Sequence, residues 1–339
     1  MSWAITAPAI AAQLATVVPA DGSPLGPIYV GDRHLRDQAR FVSLFTTEDW
    51  GKRKLVRGWR VARVAIEERW FSNLRTMARE RYVLRAVQAV TRTATDLVES
   101  GKSFQALLDS AWQVFRDVYT LGSTALVVEA QKTPGIEFLM FGDILCHYAE
   151  IEITATEYYT IGSVTQPVST ASTATTRAGY VATAEQLAAY LALASGAGNV
   201  FIERPDITDE AARDSFLVAS DDDVDLRKPV RAWRVFRRAD GESRGIAQRV
   251  EGRASWMLNN SRSWVDALDS YDAFQQHIDA ARDVFRGVGC LGNTANVTQA
   301  LSSPLQFPEL GARMVADVLC HFADGALEVR EVAHAAQVA

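Results

Sequence analysis

The stretch Phe104-Gln105, Asp109, Val114-Phe115-Arg116, Leu121-Gly122, Asp143-Ile144-Leu145-Cys146-His147-Tyr148-Ala149 and Glu157 is met again further along the chain. There it reads Phe274-Gln275, Asp279, Val284-Phe285-Arg286, Leu291-Gly292, Asp317-Val318-Leu319-Cys320-His321-Phe322-Ala323 and Glu331. From 104 to 274 is a step of 170 positions and from 157 to 331 a step of 174, so one small insertion separates the copies. Upstream, Trp59-Arg60-Val61-Ala62-Arg63 answers Trp233-Arg234-Val235-Phe236-Arg237, and Gln13-Leu14-Ala15 answers Gln186-Leu187-Ala188. We read a tandem duplication: a first domain over 1–163, a Ser/Thr/Ala-rich linker over 164–179, and a second domain over 180–339. The linker is too poor in large apolar side chains to support a core.

A chain of 339 residues accommodates two cores of ordinary size. The 48% apolar and 22% charged content is that of a soluble globular protein. No apolar run approaches the ~20 residues of a membrane span. The apolar segment from Met1 to Val18 lacks a basic leader and recurs in the second half, so we expect a first helix and no targeting segment. The three cysteines, Cys146, Cys290 and Cys320, cannot all pair, which suits a reducing compartment. The net charge of −6 falls wholly after residue 163, because the first half balances its acids and bases. A nucleic-acid gripping protein is expected to be basic instead.

Apolar spacing predicts helices over 8–18, Ser103–Tyr119 (with Ser103 as N-cap), 183–194 and Ala273–Val288. Strands are expected at Ile28–Val30, Arg40–Phe45, Gly58–Ile66, Phe138–Phe141 and 144–158, and then at Val200–Ile202, Ser215–Ala219, Trp233 and Val318. Residues 67–95 are ambiguous: Arg69 to Val90 reads as a helix or a pair of strands, and Tyr82-Val83-Leu84 leans toward strand. The expected fold is α+β in each half: a helix, strands in a mixed or antiparallel sheet, a packed helix and a final strand. Its structural core is expected to hold Trp59, Phe104, Phe115, Cys146, His147, Trp233, Phe274, Phe285, Cys320 and His321.

Cys146-His147 and Cys320-His321 invite a nucleophile–base or metal reading. Neighbours on a strand point to opposite faces, so such a pair cannot act at one site. No CxxC or HxxxH spacing completes a zinc site. Asp109/Asp279 and Glu157/Glu331 also recur, but acid–base work needs them to converge in one cleft. The chain lacks GxxxxGK[ST] and HExxH. We therefore expect no catalytic, cofactor-binding or metal-binding residue, and no enzyme. Lys52, Arg53, Lys54 and Arg57 form a basic connection beside Trp50 and Trp59, whereas Asp221, Asp222, Asp223 and Asp225 make the matching segment acidic. A duplicated nucleic-acid patch would keep its sign. Opposite signs suit an assembly interface between first and second domains.

With these motifs on the page, each half resembles the tail terminator and tail-completion (neck) proteins of long-tailed bacteriophages. The resemblance rests on the early helix and strand, Trp-Arg-Val-x-Arg, the helix led by Phe-Gln, and Leu-Cys-His-aromatic-Ala ending in Glu. It implies a virion protein, made in the host cytoplasm, that forms a ring at the head-proximal end of the tail. Such a ring ends tube growth and joins the tail tube protein to a head-side adaptor or connector, while DNA passes through without sequence-specific binding. Two domains per chain leave two ring forms, a trimer acting as a pseudo-hexamer or a hexamer. The alternative from another class is a duplicated α+β soluble enzyme or ligand-binding protein with an interdomain site.

Overall fold

The computed structural model describes residues 3–31, 38–50, 53–72, 75–90, 94–116, 118, 120–121, 127–132, 135–141, 143–160, 180–202, 231–244, 249–263, 269–286, 288, 290–293, 297–315 and 318–334. The expected linker over 164–179 and the strand over Ser215–Ala219 lie outside them. The chain is α+β, its strands mostly antiparallel, and it forms two compact units. Unit 1 comprises Met1–Ala65, Arg79–Glu157 and Ala267–Asp272; unit 2 comprises Ile66–Ala78, Tyr158–Asp266 and Ala273–Ala339.

In unit 1, helix α1 (Trp3–Leu14) turns Trp3, Thr6, Ala7, Ile10 and Leu14 inward, a single stripe at helical spacing. Strand β1 (Ile28–Val30) pairs in parallel with β3 (Arg53–Ser72), Ile28 opposite Trp59. Helix α2 (Gln38–Phe45) leads into β2 (Thr46–Trp50), which pairs antiparallel with the start of β3. Next come β4 (Arg75–Ala89), helix α3 (Ala94–Arg116), β5 (Val127–Lys132), β6 (Glu137–Phe141) and β7 (Ile144–Thr160). The strand order here is β5-β7-β4-β3, with β6 also on β7. Phe104, Leu107, Leu108, Ala111 and Phe115 of α3 pack with α1 on the face carrying Trp59, Tyr82, Leu84, Ile151 and Ile153. Burial of each such ring contributes about 1.5–3 kcal/mol. By alternation the other face carries Val87 and Cys146, covered by Phe41 and Phe45 of α2.

In unit 2, helix α4 (Tyr180–Ala192) precedes β8 (Asn199–Ile202), which pairs in parallel with β9 (Arg231–Arg244), Val200 opposite Trp233. Then follow β10 (Arg249–Ser263), helix α5 (Asp269–Arg286), β11 (Cys290–Asn293), β12 (Val297–Leu301), β13 (Gln306–Val315) and β14 (Val318–His334). The order is β13-β14-β10-β9-β8, with β12 also on β14. Trp233, Phe274, Ile278, Phe285, Leu187, Tyr190 and Val329 share its core. Both units thus run helix, short parallel strand, hairpin, long helix and final strand in one order. A detail repeats as well. Gly26 (φ 84°) and Gly198 (φ 68°) both adopt the left-handed backbone just before the short strand. A Cβ at either would collide with the carbonyl oxygen of Arg57 or Arg231, so only glycine fits.

Two expectations need correction, and one open reading is decided. Residues 40–45 are helical, not a strand: Phe41 and Phe45 sit four apart and both point inward, the spacing of one helix face. Helix α3 begins at Ala94, so Ser103 is not its N-cap. Buried in mid-helix, Ser103 accepts a hydrogen bond from Arg57 instead. The open segment 67–95 is a pair of strands running to Ala89, followed by the first residues of α3.

Candidate assembly surface

Strand alternation on β7 separates the two residues that looked most like chemistry. Cys146 lies among Phe41, Phe45 and Val87, and burial pushes its thiol up to about 12. His147 faces the other way, its ring stacked on Phe104 with centroids 5.6 Å apart and its Nε2 2.7 Å from Ser100 Oγ. Burial lowers its pKa. His321 repeats the arrangement, stacked on Phe274 at 5.2 Å, with Cys320 buried beside it in the chain. A thiol that resists ionisation and an imidazole on the opposite face do not make a nucleophile–base pair. Trp59, Phe115, Trp233 and Phe285 are likewise buried. Trp233 donates through Nε1 to His277 Nε2 at 2.6 Å, and the other ring nitrogen of His277 lies 2.8 Å from the Ser195 carbonyl oxygen.

The recurring carboxylates do not share one role. Asp109 is exposed and accepts from Gln105, whereas Asp279 is buried and accepts from Arg282 Nη1. Glu157 is buried and accepts from Thr6 Oγ1 at 2.6 Å. Glu331 is described by its backbone alone, opposite Gly252 on β10. Among the described residues, no group of three or more His, Cys, Asp or Glu side chains is placed to hold a metal ion. No helix among them is long and apolar enough to cross a membrane.

Of the oppositely charged segments, Lys52, Asp221, Asp222, Asp223 and Asp225 lie outside the described residues. Arg53 and Lys54 open β3, described there by backbone only. Arg57, expected at an interface, is buried instead. It is fully buried, donating to Gln88 Oε1, Ser23 Oγ, the Pro24 carbonyl and Ser103 Oγ at 2.6–2.8 Å. Desolvation lowers its pKa to about 10, the Asp21 charge opposing that shift.

Sequence reasoning missed two buried ionic clusters. In unit 1, Arg63 Nη1 meets Glu80 Oε2 at 3.2 Å with neither side chain exposed, and Tyr82 donates to the same oxygen at 2.6 Å. Tyr271, from the start of α5, closes this cluster: the Arg63 amide donates to its hydroxyl, which lies 3.2 Å from the Arg63 carbonyl. Trp3 Nε1 donates to the neighbouring Asp272. In unit 2, Glu68 at the tip of the β3–β4 hairpin is 2% exposed. It accepts from Arg282 Nε at 3.0 Å, and from Arg286 Nε and Nη2 at 2.6 and 3.1 Å. The Tyr159 ring lies under the Arg286 guanidinium, 3.6 Å from its centroid. Gln306 of β13 donates to the Glu68 carbonyl, and Phe307 pairs with Ile66. The visible signal was Arg63 on the Trp59–Val61 face of its strand; a charge at an inward position needs a partner.

The opposite property marks β6. Phe138, Leu139 and Met140 are exposed, at 53%, 37% and 59%, and Leu145 beside them is exposed too. Among the described residues β6 pairs only with β7, so its other edge carries unpaired backbone groups next to an apolar patch. Such an edge is a template for another strand.

No protein-family model matches the chain, and no curated protein matches it.

Proposed function

We propose that this chain is a structural protein of a long-tailed phage. It forms a ring at the head-proximal end of the tail that ends tube growth and joins the tail to the head connector. The two halves are copies of one ancestral domain, each supplying one position of the ring. The observation that carries this reading is the open, apolar edge of β6 in unit 1, since a closed cyclic assembly covers such edges by pairing. Buried cysteines and histidines held by packing, with no catalytic geometry at either Cys-His pair, are what a building block needs. The negative balance of residues 164–339 suits a ring through which DNA slides without being gripped. Light scattering and electron microscopy of the purified protein test it. The expected result is a discrete ring with a central opening; a monomer that turns over a small molecule overturns it.

A further inference from the structure

We propose that β6 of one chain pairs antiparallel with β13 of a second copy, with Leu139 opposite Gly311. Taking the partner to be another copy rests on the ring reading; the pairing adds which strand that copy offers and in what register.

The two strands hold equivalent places. Met140 opposite Leu145 on β6–β7 matches Met314 opposite Leu319 on β13–β14. Among the described residues β6 pairs with β7 alone, and β13 from Glu309 to Val315 pairs with β14 alone. Each therefore turns a row of unpaired N–H and C=O groups outward. The edges differ in bulk. On β6 Phe138, Leu139 and Met140 are exposed, whereas β13 exposes Gly311 and Ala312. Gly311 has no positive φ, and a Cβ added to it would meet nothing within 4 Å. No contact described within the chain calls for glycine there. A bare position in a strand suits the close approach of another backbone.

Face and charge together fix the register. Phe138 lies opposite His147 and Ala312 opposite His321, and the two histidines stack on Phe104 and Phe274 of the long helices. Phe138 and Ala312 are thus on the helix side of their sheets. Opposed residues in a joined sheet share a face, so Phe138 can meet Ala312 but not Gly311. With that pairing Leu139 meets Gly311, large side chains lie over small ones, and Glu137 meets Arg313. Glu137 is exposed and has no ion-pair partner among the described residues. A shift of two positions either way, the smallest that keeps the faces matched, sets Leu139 against Arg313 or Glu309. Each chain therefore carries one bulky edge and one bare edge. A contact between two different surfaces propagates from chain to chain and closes when the rotation allows.

Cross-linking between proteins that each carry one added cysteine tests the pairing. Leu139→Cys is mixed with Gly311→Cys, and Phe138→Cys with Ala312→Cys. Each mixture is dissociated in reductant, reassembled, oxidised and run unreduced on a denaturing gel, with circular dichroism to verify folding. Two adjacent pairs are used because opposed residues alternate between wide and narrow spacing along an antiparallel ladder, and the narrow pair suits a disulfide. The expected result is a covalent species of two chains in at least one mixture and in no protein alone. Such a species from any one protein alone means that a strand meets its own copy, and overturns the pairing. Wild type that forms a ring, with no cross-link in either mixture, overturns this contact and leaves the ring standing. Monomeric wild type overturns both. Leu139→Lys gives a second readout, since the side chain is exposed and its loss leaves the core intact. Its dissociation midpoint in sedimentation velocity is expected to rise about tenfold; an unchanged midpoint overturns the pairing.

Discussion

On β7 a change of one position moves a side chain from the α2 side of the sheet to the α3 side, and Cys146 and His147 show what that does to their chemistry. Burial lowers the pKa of His147, with Ser100 and Phe104 around it. Its folded pKa lies below the ordinary 6.5, so on acidification the unfolded chain takes up the proton first. The histidine's contribution is therefore complete above about 6.5 and is lost as pH falls from there through the lower folded pKa. Between pH 7.5 and 5.5 the urea midpoint should fall, and it should fall less in His147→Gln. Equal losses in the two proteins would mean that His147 does not titrate on unfolding. The opposite facing of this pair was legible in the sequence, because alternation along a strand is local geometry. The fate of Arg57 was not. It lies in a basic run that reads as an assembly interface, and only the approach of Ser23, Pro24, Gln88 and Ser103 explains its burial.

Among the elements, long and strongly periodic segments were the readable ones. The stripe Phe104, Leu107, Leu108, Ala111 and Phe115 marks α3, and its counterpart marks α5. Truncation of Phe115 to Ala should destabilise unit 1 by about 3–5 kcal/mol, measured by denaturant melts, since the cavity adds to the lost burial. Helix α2 was misread because Phe41, Val42, Leu44 and Phe45 fit two periods over so short a run; its packing on Val87 and Cys146 decides between them. Hairpin β3–β4 hid a different fact. Its partners α5 and β13 lie two hundred residues on, so no local pattern reports that Glu68 is buried. Removing that carboxylate should be costly, because two guanidiniums stay behind in a dry site. Asp279 and Asp283 still reach them, which places the expected loss for Glu68→Gln at about 3 kcal/mol. An unchanged melting profile would show that water reaches the cluster.

For the whole molecule, the compact units do not coincide with the two halves of the sequence. Ile66–Ala78 belongs to unit 2 and Ala267–Asp272 to unit 1. A fragment of residues 1–163 should consequently melt well below unit 1 of the full chain, since it lacks Tyr271 and Asp272 against Arg63 and Trp3. Addition of residues 164–339 in trans should restore part of the difference; a fragment as stable as the parent would show these contacts to be dispensable. Repetition of the plan was readable from aligned motifs, whereas the traded segments were not, because they depend on which copy accepts which hairpin. This trade also orders events at the ribosome. When Glu157 emerges, the polypeptide still needs Tyr271, and synthesis of the intervening stretch takes roughly 5–20 s at ordinary elongation rates. Over that interval the nascent first half carries an unfinished fold and an unseated β-ribbon. Completion of unit 1 is therefore tied to synthesis of the second half of the chain.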